Sequence, residues 1–151
     1  MIVGIDTDIL VNYVMKGAPS HPAARRFIGE MLESDGQLGI VAQTLHELIH
    51  VCTDVRRFEN PLSMGEAIRY SRAFWDGGGV VRVTPSPAVF HRTLDLLSTL
   101  KLGRKRILDT ALAATLEAAG IEIIATFNAR HFEIFNFLEV IVPDDGNRPR
   151  S

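Results

Sequence analysis

The chain has 151 residues, of which 46% are hydrophobic and 23% charged, and its net charge is -2 at neutral pH. These values fit one globular domain, and they exclude general disorder, a membrane-spanning helix of ~20 apolar residues and a strongly basic nucleic-acid coat protein. An enzyme acting on nucleic acid is still allowed, because it needs only a local basic rim. Cys52 is the single cysteine, which rules out an intramolecular disulfide. No basic segment followed by an apolar run opens the chain, so the expected location is cytoplasmic.

Taken in chain order, apolar runs alternate with helical patterns. Ile2 to Ile5 is a short strand that ends at Asp6, and Ile9 to Val14 begins a helix. Asp8 is placed as the cap of that helix. Pro22 to Glu33 is a second helix, capped by Ser20, with Ala23, Ala24, Phe27, Ile28, Met31 and Leu32 on its apolar stripe. Leu38 to Ala42 is a strand, and Gln43 to Asp54 is a helix. Ser63 with Glu66 signals the start of the Met64–Trp75 helix, which the Gly77-Gly78-Gly79 run ends. Val80 to Val83 is a strand, and a helix runs from Ser86-Pro87 to about Leu100. A basic loop, Lys101 to Arg106, leads into the Ile107–Ala119 helix. Strands follow at Ile121–Ala125 and Leu138–Val142, and residues 144–151 are expected to be a flexible tail.

Short Val- and Ile-rich strands separated by helices imply an α/β fold with a parallel sheet covered on both faces. Chemistry in such sheets gathers at the carboxyl ends of the strands. Asp6, Glu47, Asp109 and Asn128 are the polar residues expected there, with Thr126 beside Asn128. A cluster of carboxylates is self-repelling unless a cation or protons neutralise it. Hard oxygen donors suit Mg²⁺ or Mn²⁺, and such an ion acidifies water and offsets charge on a phosphodiester. Taken singly, Asp6 and Asp109 are equally well read as helix-cap or first-turn acids, Asn128 as a turn residue and Glu47 as a solvated helix residue.

The ordered segments Val3-Gly4-Ile5-Asp6-Thr7-Asp8-Ile9-Leu10, Thr44-Leu45-His46-Glu47-Leu48, Asn60-Pro61-Leu62-Ser63, Leu108-Asp109-Thr110-Ala111 and Ala125-Thr126-Phe127-Asn128-Ala129-Arg130-His131-Phe132 resemble a PIN-domain ribonuclease, specifically a VapC-type toxin of a toxin–antitoxin pair. The resemblance spans residues 1–143. It implies a PIN-like three-layer α/β/α sandwich with a short central parallel sheet, and a homodimer. It further implies a Mg²⁺- or Mn²⁺-dependent endoribonuclease that cuts RNA phosphodiester bonds by a metal-activated water, held in check by a cognate antitoxin protein. By this resemblance Asp6, Glu47 and Asp109 are metal-holding and catalytic. Asn128 occupies a fourth position that is often Asp, so it brings no charge and puts a second tightly held metal in doubt. Thr7, Thr44 and Thr126 are supporting hydroxyls.

Arg104, Lys105, Arg106 and Arg130, with Lys101 beside them, are expected to contact RNA phosphates. Arg25-Arg26 and Arg56-Arg57 are weaker candidates. Phe27, Leu32, Phe58, Phe74 and Trp75 are read as core, with a dimer face or antitoxin groove as the alternative.

Three other readings compete. His46-Glu47-Leu48-Ile49-His50 matches the H-E-x-x-H motif of zinc metalloproteases, but it lacks a convincing third ligand and leaves Asp6, Asp109 and Asn128 unexplained. The Asp6-Thr7-Asp8 triplet resembles an aspartyl-nucleophile phosphatase, yet a buried-helix pattern follows it at once. A non-catalytic PIN-like binding module is favoured only by Asn128.

Overall fold

A computed structural model describes residues 1–144. Five strands, β1 (Ile2–Ile5), β2 (Gln37–Val41), β3 (Val80–Val83), β4 (Ile123–Ala125) and β5 (Glu139–Ile141), form one sheet in the order β3-β2-β1-β4-β5. Every pairing is parallel. Six helices cover it: α1 (Thr7–Val14), α2 (His21–Glu33), α3 (Ala42–Cys52), α4 (Met64–Asp76), α5 (Pro87–Thr99) and α6 (Ile107–Ala118). The expected α/β/α architecture is present. The flexible tail expected at 144–151 falls, from residue 145 on, outside the described residues.

Two apolar clusters mark the two faces of the sheet. On one face Val3, Ile5, Leu38 and Ile40 pack with residues of α1, α2 and α3. Phe27, Phe58, Phe74 and Trp75 pack against this cluster, but Leu32 is exposed and is not core. On the other face Ile124 packs with Val89 and Leu96 of α5 and with Leu112 and Leu116 of α6. The inner strands β2, β1 and β4 are thus buried from both sides over most of their length, which is why they read as near-continuous apolar runs without alternation.

Local chemistry sets most boundaries. Ser63 and Glu66 form a reciprocal capping box at the start of α4. Ser20 occupies the N-cap of α2, but its hydroxyl caps nothing, and its backbone N–H donates to Asn12 Oδ1. Gly79, with φ near +74°, makes the turn into β3 that a side chain would strain. The basic loop contains a short 3₁₀ turn, Arg104–Arg106, that runs straight into α6. A second 3₁₀ turn, Ala129–His131, follows β4.

Two features place the site. The chain builds β2 and β3 on one side of β1 and then crosses to build β4 and β5 on the other. The carboxyl ends of β1 and β4 therefore flank the point where the winding reverses, the usual crevice of open parallel sheets. In addition, Gly4 of β1 pairs with Gly39 of β2. A Cβ on Gly4 would stand 2.6 Å from a Leu116 methyl, so the bare backbone lets α6, which carries Asp109, approach the sheet closely.

Candidate active site

A cavity of about 850 Å³ opens at this crevice and is lined by Asp6, Thr7, Asp8, Glu47, Arg57, Phe58, Arg104, Lys105, Asp109, Asn128 and His131, among others. Asp6 is the last residue before α1 and its actual N-cap: Thr7 N donates to Asp6 Oδ1 at 2.8 Å. Its backbone N–H donates to the Ala125 carbonyl at 3.0 Å, which ties the end of β1 to the end of β4. Just after β4, the fully buried Thr126 hydroxyl donates to Asp6 Oδ2 at 2.7 Å.

Asp8 is not the helix cap that the sequence reading makes it. It lies in the first turn of α1, and its carboxylate accepts from Phe127 N at 3.1 Å and from Asn128 Nδ2 at 3.0 Å. Asn128 N in turn donates to the Thr126 hydroxyl at 2.9 Å. The absence of an acid at position 128 acquires a physical reason here. An amide donates to Asp8 where a carboxylate would repel it.

Glu47, on α3, accepts from the Thr7 hydroxyl at 2.9 Å and from Gln43 Nε2 at 2.9 Å. Thr7 therefore supports Glu47 through its side chain and Asp6 through its backbone. Asp109, in the first turn of α6, has Oδ2 2.9 Å from His131 Nδ1 and 3.8 Å from Arg106 Nε.

Burial pushes the Asp6 carboxyl up to about 7 and Asp8 up to about 6. The Asp8 charge adds to the rise at Asp6, while hydrogen bonds from Thr126 and Thr7 oppose it. Asp109 is raised by burial and also by the Glu47 charge, with His131 and Arg106 opposing. The four carboxylates thus act on one another across the cavity and lack enough positive charge to settle them. Their oxygens form a hard donor set suited to Mg²⁺ or Mn²⁺. Among the described residues no group of three His, Cys, Asp or Glu side chains closes into a ready-made cage. Mg²⁺ does not require one, because it keeps several waters and takes one or two carboxylates. The residues fit the ion.

Three expected site residues do not make the contacts expected of them. Thr44 is fully buried and its hydroxyl donates to the Val41 carbonyl at 2.7 Å, so it stabilises the start of α3 and supports no carboxylate. Arg106 does not line the cavity. Its guanidinium donates to the His131 carbonyl and pairs with Asp109, which removes it from the set free to meet a phosphate. Arg130 is exposed and lies outside the cavity lining. Arg57, a weaker candidate in the sequence, does line it, as do Arg104 and Lys105.

Asp8, Gln43 and His131 are the contributors that sequence reading missed. The D-x-D spacing signalled Asp8, because an N-cap residue is extended and turns its i+2 neighbour to the same crevice. Gln43 precedes Glu47 by one helical turn, and His131 follows Asn128 by three residues.

The H-E-x-x-H residues do not form a zinc site. His46 and His50 are exposed, His46 lines a separate cavity between α3 and α4, and Glu47 is held by Thr7 and Gln43.

Fold and crevice together define an α/β/α domain with a carboxylate-lined cavity at the carboxyl end of its parallel sheet. No protein-family model matches the chain. Ribonuclease VapC24 of Mycobacterium tuberculosis is 28% identical over 142 residues, covering 94% of this chain and 97% of that protein. Ribonuclease VapC33 of the same organism is 24% identical over 135 residues, covering 89% and 92%. Among solved structures, M. tuberculosis VapC20, a sarcin–ricin loop cleaving toxin, aligns with a TM-score of 0.70 at 14% identity, over 89% of this chain and 95% of that one. VapBC-1 of nontypeable Haemophilus influenzae aligns at 0.64 and 22% identity, over 94% and 98%. The resemblance to VapC-type PIN-domain proteins therefore holds over nearly the whole chain, in sequence and in fold.

Proposed function

We propose that this protein is a divalent-metal-dependent endoribonuclease and the toxin of a toxin–antitoxin pair. The observation that carries the reading is the meeting of Asp6, Asp8, Glu47 and Asp109 on one cavity edged by Arg57, Arg104 and Lys105. The names of the sequence relatives and the toxin described for the sarcin–ricin loop support the same reading. The motif behind the protease reading has its Glu47 held by Thr7 and Gln43, and Asn128, the one feature behind the non-catalytic reading, donates to Asp8.

Asp6, Asp109 and Glu47 would hold Mg²⁺ or Mn²⁺, with Asp8 beside them. When bound, the ion supplies an acidified water and charge neutralisation at the scissile phosphate. The chain's own groups do the rest. Thr126, Thr7, Gln43 and Asn128 lock the carboxylates in place before substrate arrives, so no reorganisation is needed during the reaction. Arg57, Arg104 and Lys105 draw the RNA backbone toward an otherwise repelling pocket. No serine or cysteine nucleophile is required.

The partner is an antitoxin protein, in keeping with the toxin–antitoxin complexes among the structural neighbours. An apolar cavity of about 290 Å³ beside α4, lined by Tyr13, Ile28, Leu32, Tyr70 and Phe74, offers it a surface. Homodimerisation and a cytoplasmic location belong to the same proposal. Among the described residues no helix is long and apolar enough to cross a membrane.

Cleavage of total RNA tests the reading. Activity is expected with Mn²⁺ or Mg²⁺, loss with a chelator, and a fall of roughly 100-fold or more in Asp6→Asn and Asp109→Asn. Undiminished cutting by both variants would refute it.

A further inference from the structure

His131 was not assigned a role by the motif that contains it, yet it touches the site more closely than the cations beside it. Its Nδ1 stands 2.9 Å from Asp109 Oδ2. A hydrogen bond from His131 favours the charged form of Asp109, and because a carboxylate only accepts, the tautomer that makes this bond carries its proton on Nδ1. The imidazole is half-exposed at the cavity edge, whereas the Asp109 carboxylate is mostly covered. The backbone beneath the ring is itself anchored, because the Arg106 guanidinium donates to the His131 carbonyl. Arg106 is held in turn through its own carbonyl, which accepts from the Thr110 hydroxyl at 2.6 Å. The turn after β4 and the turn before α6 are therefore tied together across the mouth of the site. Both contacts to Asp109 fall on Oδ2. Among the described residues Oδ1 takes no hydrogen bond.

We infer that His131 is a positioning residue: its Nδ1–H fixes the rotamer of Asp109 and leaves Oδ1 as the oxygen available to a divalent cation. The inference rests on the metal-dependent reading above and extends it by one residue and one atom. It also explains why Arg106 is unavailable to RNA, since the same guanidinium braces the turn that carries the histidine. A hydrogen-bonding partner on the far oxygen of a ligating carboxylate restricts its rotation and so lowers the ordering needed on metal binding.

The test is Mn²⁺ binding to the metal-free full-length protein, followed by electron paramagnetic resonance, with no RNA present. His131→Ala is expected to weaken Mn²⁺ binding about 10-fold. His131→Asn places an amide N–H near the former Nδ1 position and is expected to restore most of the affinity. His131→Gln, whose amide lies one bond further out, is not. Circular dichroism and thermal melts confirm that each variant is folded, and the half-exposed ring makes large losses of stability unexpected. Wild-type Mn²⁺ affinity in a folded His131→Ala protein overturns the inference while leaving the nuclease reading intact. An equal loss in the Asn and Ala variants also overturns it. Absence of Mn²⁺ binding in the wild type overturns both, so the two failures are told apart by the wild-type measurement.

Discussion

Asp6, buried, and Asp8, half-buried, are two carboxyls within reach of one hydroxyl, that of Thr126, and this arrangement carries a direct consequence for stability. In the folded chain they titrate near 7 and 6, against an ordinary value of 3.8. Between about pH 4 and pH 7 the folded state therefore binds more protons than the unfolded state. Stability is fully present below this window and falls as pH rises through it. The lowered carboxyls of Asp54 and Glu66 act in the opposite sense. In a chelator, Tm is expected to be lower at pH 8 than at pH 5, and Asp6→Asn is expected to flatten the slope. A Tm that rises across the window in the wild type would contradict the assigned burial.

At the scale of elements, the close seat of α6 on the sheet is what delivers Asp109 to the crevice. Gly4→Ala would put a methyl 2.6 and 2.8 Å from the two Leu116 methyls and 3.3 Å from the Ile123 carbonyl. Leu116 is fully buried and has little room to yield. Overpacking of this kind costs about 1–3 kcal/mol, and a chain of this length loses roughly 2–4 °C in Tm for each of them. Thermal melts of Gly4→Ala check the figure. A Leu116→Val second change should recover part of the loss, since it shortens the side chain that the new methyl meets. An unchanged Tm in the single variant would mean that α6 does not depend on the bare backbone of β1.

At the scale of the whole molecule, the carboxylates come from α1, α3, α6 and the end of β1, so an ion held between them joins both faces of the sandwich. Binding only to the folded state stabilises it by mass action. At a free Mn²⁺ concentration 100 times Kd the gain is about 2.7 kcal/mol, or a rise in Tm of roughly 5–11 °C. Melts with and without Mn²⁺ measure it. Asp109→Asn is expected to remove most of the rise, and a wild-type Tm indifferent to Mn²⁺ would count against the donor set.

The sequence by itself determined the class of fold and the order of its elements. Unbroken apolar runs such as Ile2–Ile5 and Leu38–Val41 belong to strands covered on both faces, and the Ser63–Glu66 pair and the glycines after Trp75 are local signals that need no partner. It also singled out Asp6, Glu47 and Asp109 as candidates, because an acid at a strand end or on the following helix is legible from its position. Only the tertiary structure decided what each polar side chain meets. Thr44 and Thr126 are the same residue type at comparable points in the pattern, yet one bonds the Val41 carbonyl three residues back and the other bonds Asp6, 120 residues away. Arg106 and Arg104 sit in one basic run, yet one braces His131 and the other borders the cavity. Periodicity along the chain reports which face of an element is buried. Hydrogen-bond partners are set by how separate elements cross, and that information is distributed over the whole packing of the sheet and its helices.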